Sequence, residues 1–157
     1  MPQLSEATAK PVTVRFIEQR DRAQWQTMWD GYHAFYGRPN FSMDITETTW
    51  SRFFDPAEPV YALVAEQSDQ LLGLTHYLFH RSTALINPRC YLQDLFTIEA
   101  ARGHGVGRAL IEAVRDQATI SGAARLYWQT HETNHTAMKL YDQLAERTGF
   151  LVYRLPM

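Results

Sequence analysis

One stretch constrains this chain more than any other: Tyr91 to Ser121, YLQDLFTIEAARGHGVGRALIEAVRDQATIS. A β-like run from Tyr91 to Ile98 passes through a short acidic and small-residue turn into Arg102, Gly103, His104, Gly105, Val106 and Gly107. A long amphipathic helix follows at once. Such a strand, glycine turn and helix form an anion-binding arrangement. N–H groups at a helix start lack intrahelical partners and sit at the positive end of the dipole, and glycines let a phosphate come close. By itself the run also fits a tight turn that simply needs glycine. It is not a Walker loop, because no Lys-Ser/Thr follows, and Arg108 stands where a dinucleotide fingerprint has its last glycine. Arg102 and Arg108 flank the turn with guanidinium groups suited to phosphate.

The rest of the chain reads as one domain built around that unit. A length of 157 residues with 45% apolar content buries roughly 70% of its unfolded surface in a single core. Residues 1–11, polar with two prolines, read as a loose leader. Val12 to Ile17 alternates as a strand. A helix then starts at Asp21, capped with Gln24, and carries Trp25, Met28, Trp29, Tyr32, Phe35 and Tyr36 to Gly37. A shorter helix capped by Asp44 and Glu47 buries Trp50, Phe53 and Phe54. Val60 to Ala65 and Leu71 to Phe79 form a hairpin across Ser68-Asp69-Gln70. After the long helix come a strand from Arg125 to Thr130, a helix from Thr136 to Arg147 and a last strand from Phe150 to Leu155. The order β-α-α-β-β-β-α-β-α-β predicts an α/β (α+β) fold with a mixed sheet covered by helices.

Composition narrows the function classes. A formal net charge of -2 lacks the basic field of a general nucleic-acid binder. No apolar run approaches the length of a membrane span, and the N-terminus has no signal-peptide core, so a cytoplasmic protein is expected. The single cysteine, Cys90, excludes an intrachain disulfide and reads as a buried strand residue, not a nucleophile. His76 with His80 and His131 with His135 share i,i+4 spacing, but neither pair falls on a helix face with the usual Glu, so no metal site is expected.

Two motifs at their proper separation carry a resemblance. Arg102-x-x-Gly105-x-Gly107 after LQDLFTIEAA, together with YWQTHETNHTAMKLYDQLAERTGF from Tyr127 to Phe150, resembles the GNAT superfamily of acetyl-CoA-dependent N-acetyltransferases. The likeness is to the branch with diamine, histone and amino-acid acetyltransferases. It implies a mostly antiparallel sheet of about six or seven strands, with two central parallel strands splayed at the cofactor site. Acetyl-CoA would lie in that opening, its pantetheine along Leu95, Phe96 and Thr97 and its pyrophosphate on Arg102, Gly103, His104, Gly105, Val106, Gly107 and Arg108. Asn134 matches the position near the pantetheine and thiol, and Tyr141 the tyrosine facing the sulfur. A homodimer is also implied.

The chemistry asks for a proton donor and a proton acceptor. An amine attacking a thioester releases a thiolate, which a phenol such as Tyr141 can protonate. Periodicity alone would equally make Tyr141 a core aromatic. An ammonium must lose a proton first, and Asp94, a carboxylate within an apolar strand, either has a structural partner or serves as that base. Gln93 stands where the diamine branch tends to carry Glu, and Glu132 or a water chain are alternative proton routes. Tyr32, Tyr36 and Trp50 would line the acceptor pocket and hold a cationic amine by its face, although the helical period also suits a core role. The expected activity is direct acetyl transfer to a primary amine of a small molecule, peptide or lysine, with a weak acyl-CoA-binding regulatory domain as the alternative.

Overall fold

The computed structural model describes residues 10–157; most of the expected leader lies outside the described residues. Five strands form one sheet in chain order: β1 (Thr13–Phe16), β2 (Val60–Gln67), β3 (Gln70–His80), β4 (Arg89–Thr97) and β5 (Arg125–Tyr127). The pairs from β1 to β4 are antiparallel, and β4 with β5 is the one parallel pair. Four helices flank it: α1 (Arg22–Phe35), α2 (Met43–Arg52), α3 (Val106–Ile120) and α4 (His135–Leu144).

Local chemistry accounts for most boundaries. The β2–β3 hairpin turns through Ser68 (φ 51°) and Asp69 (φ 64°), two consecutive left-handed residues whose twist matches that of the strands. The sequence stripe of α3, Val106, Ala109, Leu110, Ala113 and Val114, is only partly its buried face, which holds Val106, Leu110, Ile111, Val114 and Ala118, and the helix ends before the left-handed Gly122. On the other face, α1 packs Trp25, Met28 and Trp29 with Trp50 against Leu74 and Val64.

Both expected capping boxes are corrected. Asp21 makes no cap bond to α1; it is buried, accepts two bonds from Arg15, at 2.7 and 2.9 Å, and accepts the Glu18 N–H in a capping box of the preceding 3-10 turn Gln19–Asp21. Gln24 instead ties α1 to the hairpin, accepting from Leu71 N–H and donating to the Asp69 carbonyl. Ser42 caps α2 through Ile45 N–H, while Glu47 pairs with Arg22.

The C-terminal third departs most from expectation. The strand expected over Arg125 to Thr130 stops at Tyr127, and the parallel pair lies at one edge of the sheet, not at its centre. The helix expected to reach Arg147 ends at Leu144, where Ala145 turns extended. The last expected strand does not form: Phe150, Leu151, Val152, Tyr153 and Leu155 are 70–91% exposed. Its composition suits a strand, but a strand needs a neighbour to take its N–H and C=O groups, and this segment pairs with none of the described strands. Hence five strands stand where six or seven were expected.

Candidate active site

The site begins where two strands part. β4 and β5 stay in register for three pairs, Arg89 with Arg125, Cys90 with Leu126 and Tyr91 with Tyr127. β4 then continues to Thr97 without a strand on that side, so the edge from Leu92 to Thr97, including Leu95, Phe96 and Thr97, faces an opening. At its far end the chain passes through the turn into α3. Gly103 (φ 78°) and Gly105 (φ 82°) are left-handed, a conformation that a side chain at either position would strain. Gly105 is the N-cap of α3, and no side chain caps the helix, so the N–H groups of Val106, Gly107 and Arg108 have no intrahelical acceptor. An extended arm along β4 and an anion at the helix start both fit this surface. The two flanking guanidinium groups fold onto the protein. Arg102 donates to the Thr97 carbonyl and lies over Phe96, and Arg108 donates to Gln143. His104 is exposed.

The opposite wall comes from α4. Tyr141 lies edge-on to Trp128, with ring centroids 5.5 Å apart. Burial, then the nearby Tyr36 phenol, pushes its pKa up to about 12, so the phenol keeps its proton at physiological pH. Asn134, at the start of α4, makes no cap bond and donates to Thr130 Oγ1 at 3.2 Å. Glu132 is exposed in the turn before α4.

Asp94 lies on β4 at an irregularity. The register with β3 shifts between His76 and Tyr77: His76 pairs with Asp94, Tyr77 with Leu92, and Gln93 is left over. A bulge breaks the alternation of faces, and Gln93 and Asp94 both line a cavity of about 340 Å³ beneath α1 and α2. The Asp94 carboxylate is only 8% exposed and is held from behind. Trp25 Nε1 donates to His76 Nε2 at 3.1 Å, which leaves His76 Nδ1 to donate to Asp94 Oδ2 at 2.9 Å. This pattern places the donor N–H of the imidazole on Nδ1, facing the carboxylate. Burial, then the Asp94 charge, holds Tyr32 above the ordinary phenol range.

The structure therefore brings Asp94, Gln93 and Tyr32 together at the cavity, with Tyr36 beside them, half exposed and shifted upward by burial and by Asp94. Trp50 is not among the lining residues; its ring packs 4.9 Å from Trp25 in the core. The sequence reading missed His76 as a partner of Asp94, together with Trp29, His33, Arg38 and Phe41 as cavity wall. Antiparallel pairing of the two strands points to the His76–Asp94 contact, but only a bulge placed at Gln93 makes the register correct. Cys90 is fully buried, and burial pushes its thiol up to about 12, which leaves no thiolate for nucleophilic work.

Comparison with known proteins matches this architecture to one family. The acetyltransferase (GNAT) family profile covers residues 22–145. The chain is 32% identical over 145 residues, 91% of its length and 89% of the relative's, to the D-amino-acid N-acetyltransferase HPA3 of Saccharomyces cerevisiae. It is 31% identical to the N-acetyltransferase YhfO of Bacillus subtilis over 92% of its own length and 97% of that protein's. A solved aminoglycoside N-acetyltransferase, AAC(6')-Iy in complex with CoA, superposes with a TM-score of 0.82 at 16% identity, covering 98% of this chain and 99% of that one. With its splayed strands, glycine turn and uncapped helix, this chain belongs to the GNAT acetyltransferase family and is an acetyl-transferring enzyme whose cosubstrate is acetyl-CoA.

Proposed function

We propose that the enzyme acetylates a primary amine of a small molecule by direct transfer in a ternary complex, with Asp94 as proton acceptor and Tyr141 as proton donor. The observation that carries this reading is the position of Asp94 on β4. That one strand presents its open edge to the cofactor opening and, at the bulge, two polar residues to the cavity. Acetyl-CoA would supply the activated acyl carbonyl. The β4 edge at Leu95, Phe96 and Thr97, with Asn134 nearby, would hold the pantetheine. The backbone from Arg102 to Arg108 would hold the pyrophosphate.

Asp94 attracts the ammonium form of the acceptor and takes a proton from it. His76 and Trp25 behind it fix its orientation. A backbone N–H on β4 near Leu95 or Phe96 meets the developing oxyanion; as the C–S bond breaks, the Tyr141 phenol would protonate the leaving thiolate, and the second proton shed by the acetylated nitrogen would restore the phenol. Since Cys90 is protonated and buried, no cysteine in the chain takes the acyl group first.

Two further readings belong here. The chain acts as a homodimer, because its C-terminal arm exposes six large apolar residues and β5 leaves an unpaired sheet edge among the described residues. It resides in the cytoplasm, where a lone reduced cysteine is at home; no helix among the described residues is long and apolar enough to cross a membrane.

Amine-dependent thiol release from acetyl-CoA tests the activity, and Asp94→Asn tests the base. Removing a positioned base lowers kcat/KM about 100-fold or more, with acetyl-CoA binding retained. An Asp94→Asn enzyme with wild-type rates would remove Asp94 from the mechanism.

A further inference from the structure

The acceptor cavity is not electrostatically suited to a simple cation. Asp94 is the one carboxylate among its lining residues, whereas two guanidinium groups, Arg38 and Arg52, line it as well. Arg52 has a partner in Glu58 at 3.7 Å. Arg38 pairs with no carboxylate among the described residues and lies over the rings of Tyr36 and Phe41. A polyamine or another polycation would meet more positive than negative charge here.

Two buried polar side chains in the same wall also lack partners. Trp29 Nε1 and both ring nitrogens of His33 are buried without a hydrogen bond, and His33 is 3% exposed. Burial first, then the Arg38 charge, lowers the His33 pKa to about 4, so the ring is neutral and carries a single N–H. Each unpaired buried donor carries a cost of about 1–3 kcal/mol, and an orphaned pair beside a cavity calls for an explanation. A ligand oxygen with negative charge supplies it. The charges of Asp94 and Arg38 act together on the same three side chains, Tyr32, His33 and Tyr36, so a positive and a negative ligand group would sit close to each other.

We infer that this cavity binds an α-amino acid, its ammonium at Asp94 and its carboxylate on Arg38 with the Trp29 and His33 N–H groups. Phe41, Ile45, Phe53 and Val60 leave an apolar end for the side chain. The inference rests on the acetyl-transfer reading for its chemistry but not for its binding site.

The test compares each of glycine, D- and L-alanine, and D- and L-phenylalanine with its own amide as acceptor, at saturating acetyl-CoA, by thiol release. Amidation deletes the carboxylate and makes the amine less basic, which by itself favours the amide. The subsite predicts that the best amino acid nevertheless exceeds its amide about 30-fold in kcat/KM. Arg38→Gln, a change at an exposed residue, should reduce that ratio to within about 3-fold. Calorimetric titration of D- and L-phenylalanine into the CoA-saturated protein separates the two readings. Binding that depends on Arg38 without any thiol release would keep the subsite and overturn the acetyl-transfer reading. Amides turned over as well as acids, a ratio that survives Arg38→Gln, or no amino-acid binding would each overturn the subsite.

Discussion

Tyr141 and Asp94 are opposite solutions to the same problem, a titratable group in a partly dry place. Burial, then the nearby Tyr36 phenol, disfavours the Tyr141 anion, so its pKa rises to about 12 and it remains a donor throughout the physiological range. Asp94 receives the His76 N–H and remains an acceptor. The direction of the Tyr141 shift sets a pH prediction. A donor with an ordinary phenol pKa near 10 would make kcat/KM fall above that pH, whereas the raised value moves that decline beyond it. Once corrected for the ionisation of the acceptor amine itself, the profile should therefore stay level to about pH 10.5. Tyr141→Phe should lower kcat about 100-fold with little change in acetyl-CoA affinity; an unchanged kcat would exclude Tyr141 as the donor.

Elements hold these residues in place through a few polar ties as well as the apolar core. Arg15 on β1 grips Asp21 at the start of α1 and Glu66 on β2 with two bonds each, at 2.7 to 3.1 Å. The Asp21 carboxyl is buried, which alone would raise its pKa, yet Arg15 and the Glu18 N–H together hold it below the ordinary carboxylate value. A depressed folded pKa means stability that is present above the unfolded pKa and lost as pH falls through the folded one. Asp21→Asn should thus cost about 3 kcal/mol and lower Tm by about 6–12 °C at neutral pH. The gap from wild type should narrow below about pH 4, as the wild-type group also becomes protonated. Thermal melts across pH 3 to 7 check both the size and the trend.

Much of this level was legible in the residues. The glycine turn, the amphipathic helix after it and the hairpin turn are local patterns; the turn read over Ser68, Asp69 and Gln70 forms with Ser68 and Asp69 as its two left-handed residues, and Gln70 already lies in β3. Misread features depended on distant partners. Asp21 and Gln24 look like a capping box within five residues, but Arg15, Asp69 and Leu71 compete for their side chains and win. The bulge at Gln93 has no local signature, so the contact of His76 with Asp94 and the two neighbouring cavity residues were invisible in the chain. Trp50 and Trp29 show the same ambiguity from both sides. Helical periodicity marks each as apolar and facing inward, and only the fold decides that one enters the core stack while the other reaches the cavity.

At the scale of the whole molecule, the family match ends at residue 145, where the helical body gives way to the exposed arm. Residues 150–155 have the composition of a strand, and among the described residues β5 has a vacant edge; in the proposed dimer a second copy would answer both by pairing arm to edge. Full-length protein should run as a dimer by light scattering, and removal of residues 145–157 should shift it to a monomer. A full-length monomer would contradict this assembly.

Direct transfer at the point where β4 leaves β5 is tested most directly by initial rates with acetyl-CoA and an amine varied together, accompanied by the intact mass of the enzyme after exposure to acetyl-CoA alone. A ternary complex, with Cys90 buried and protonated, predicts intersecting double-reciprocal lines and an unmodified protein mass. Parallel lines together with an acetylated protein would contradict it.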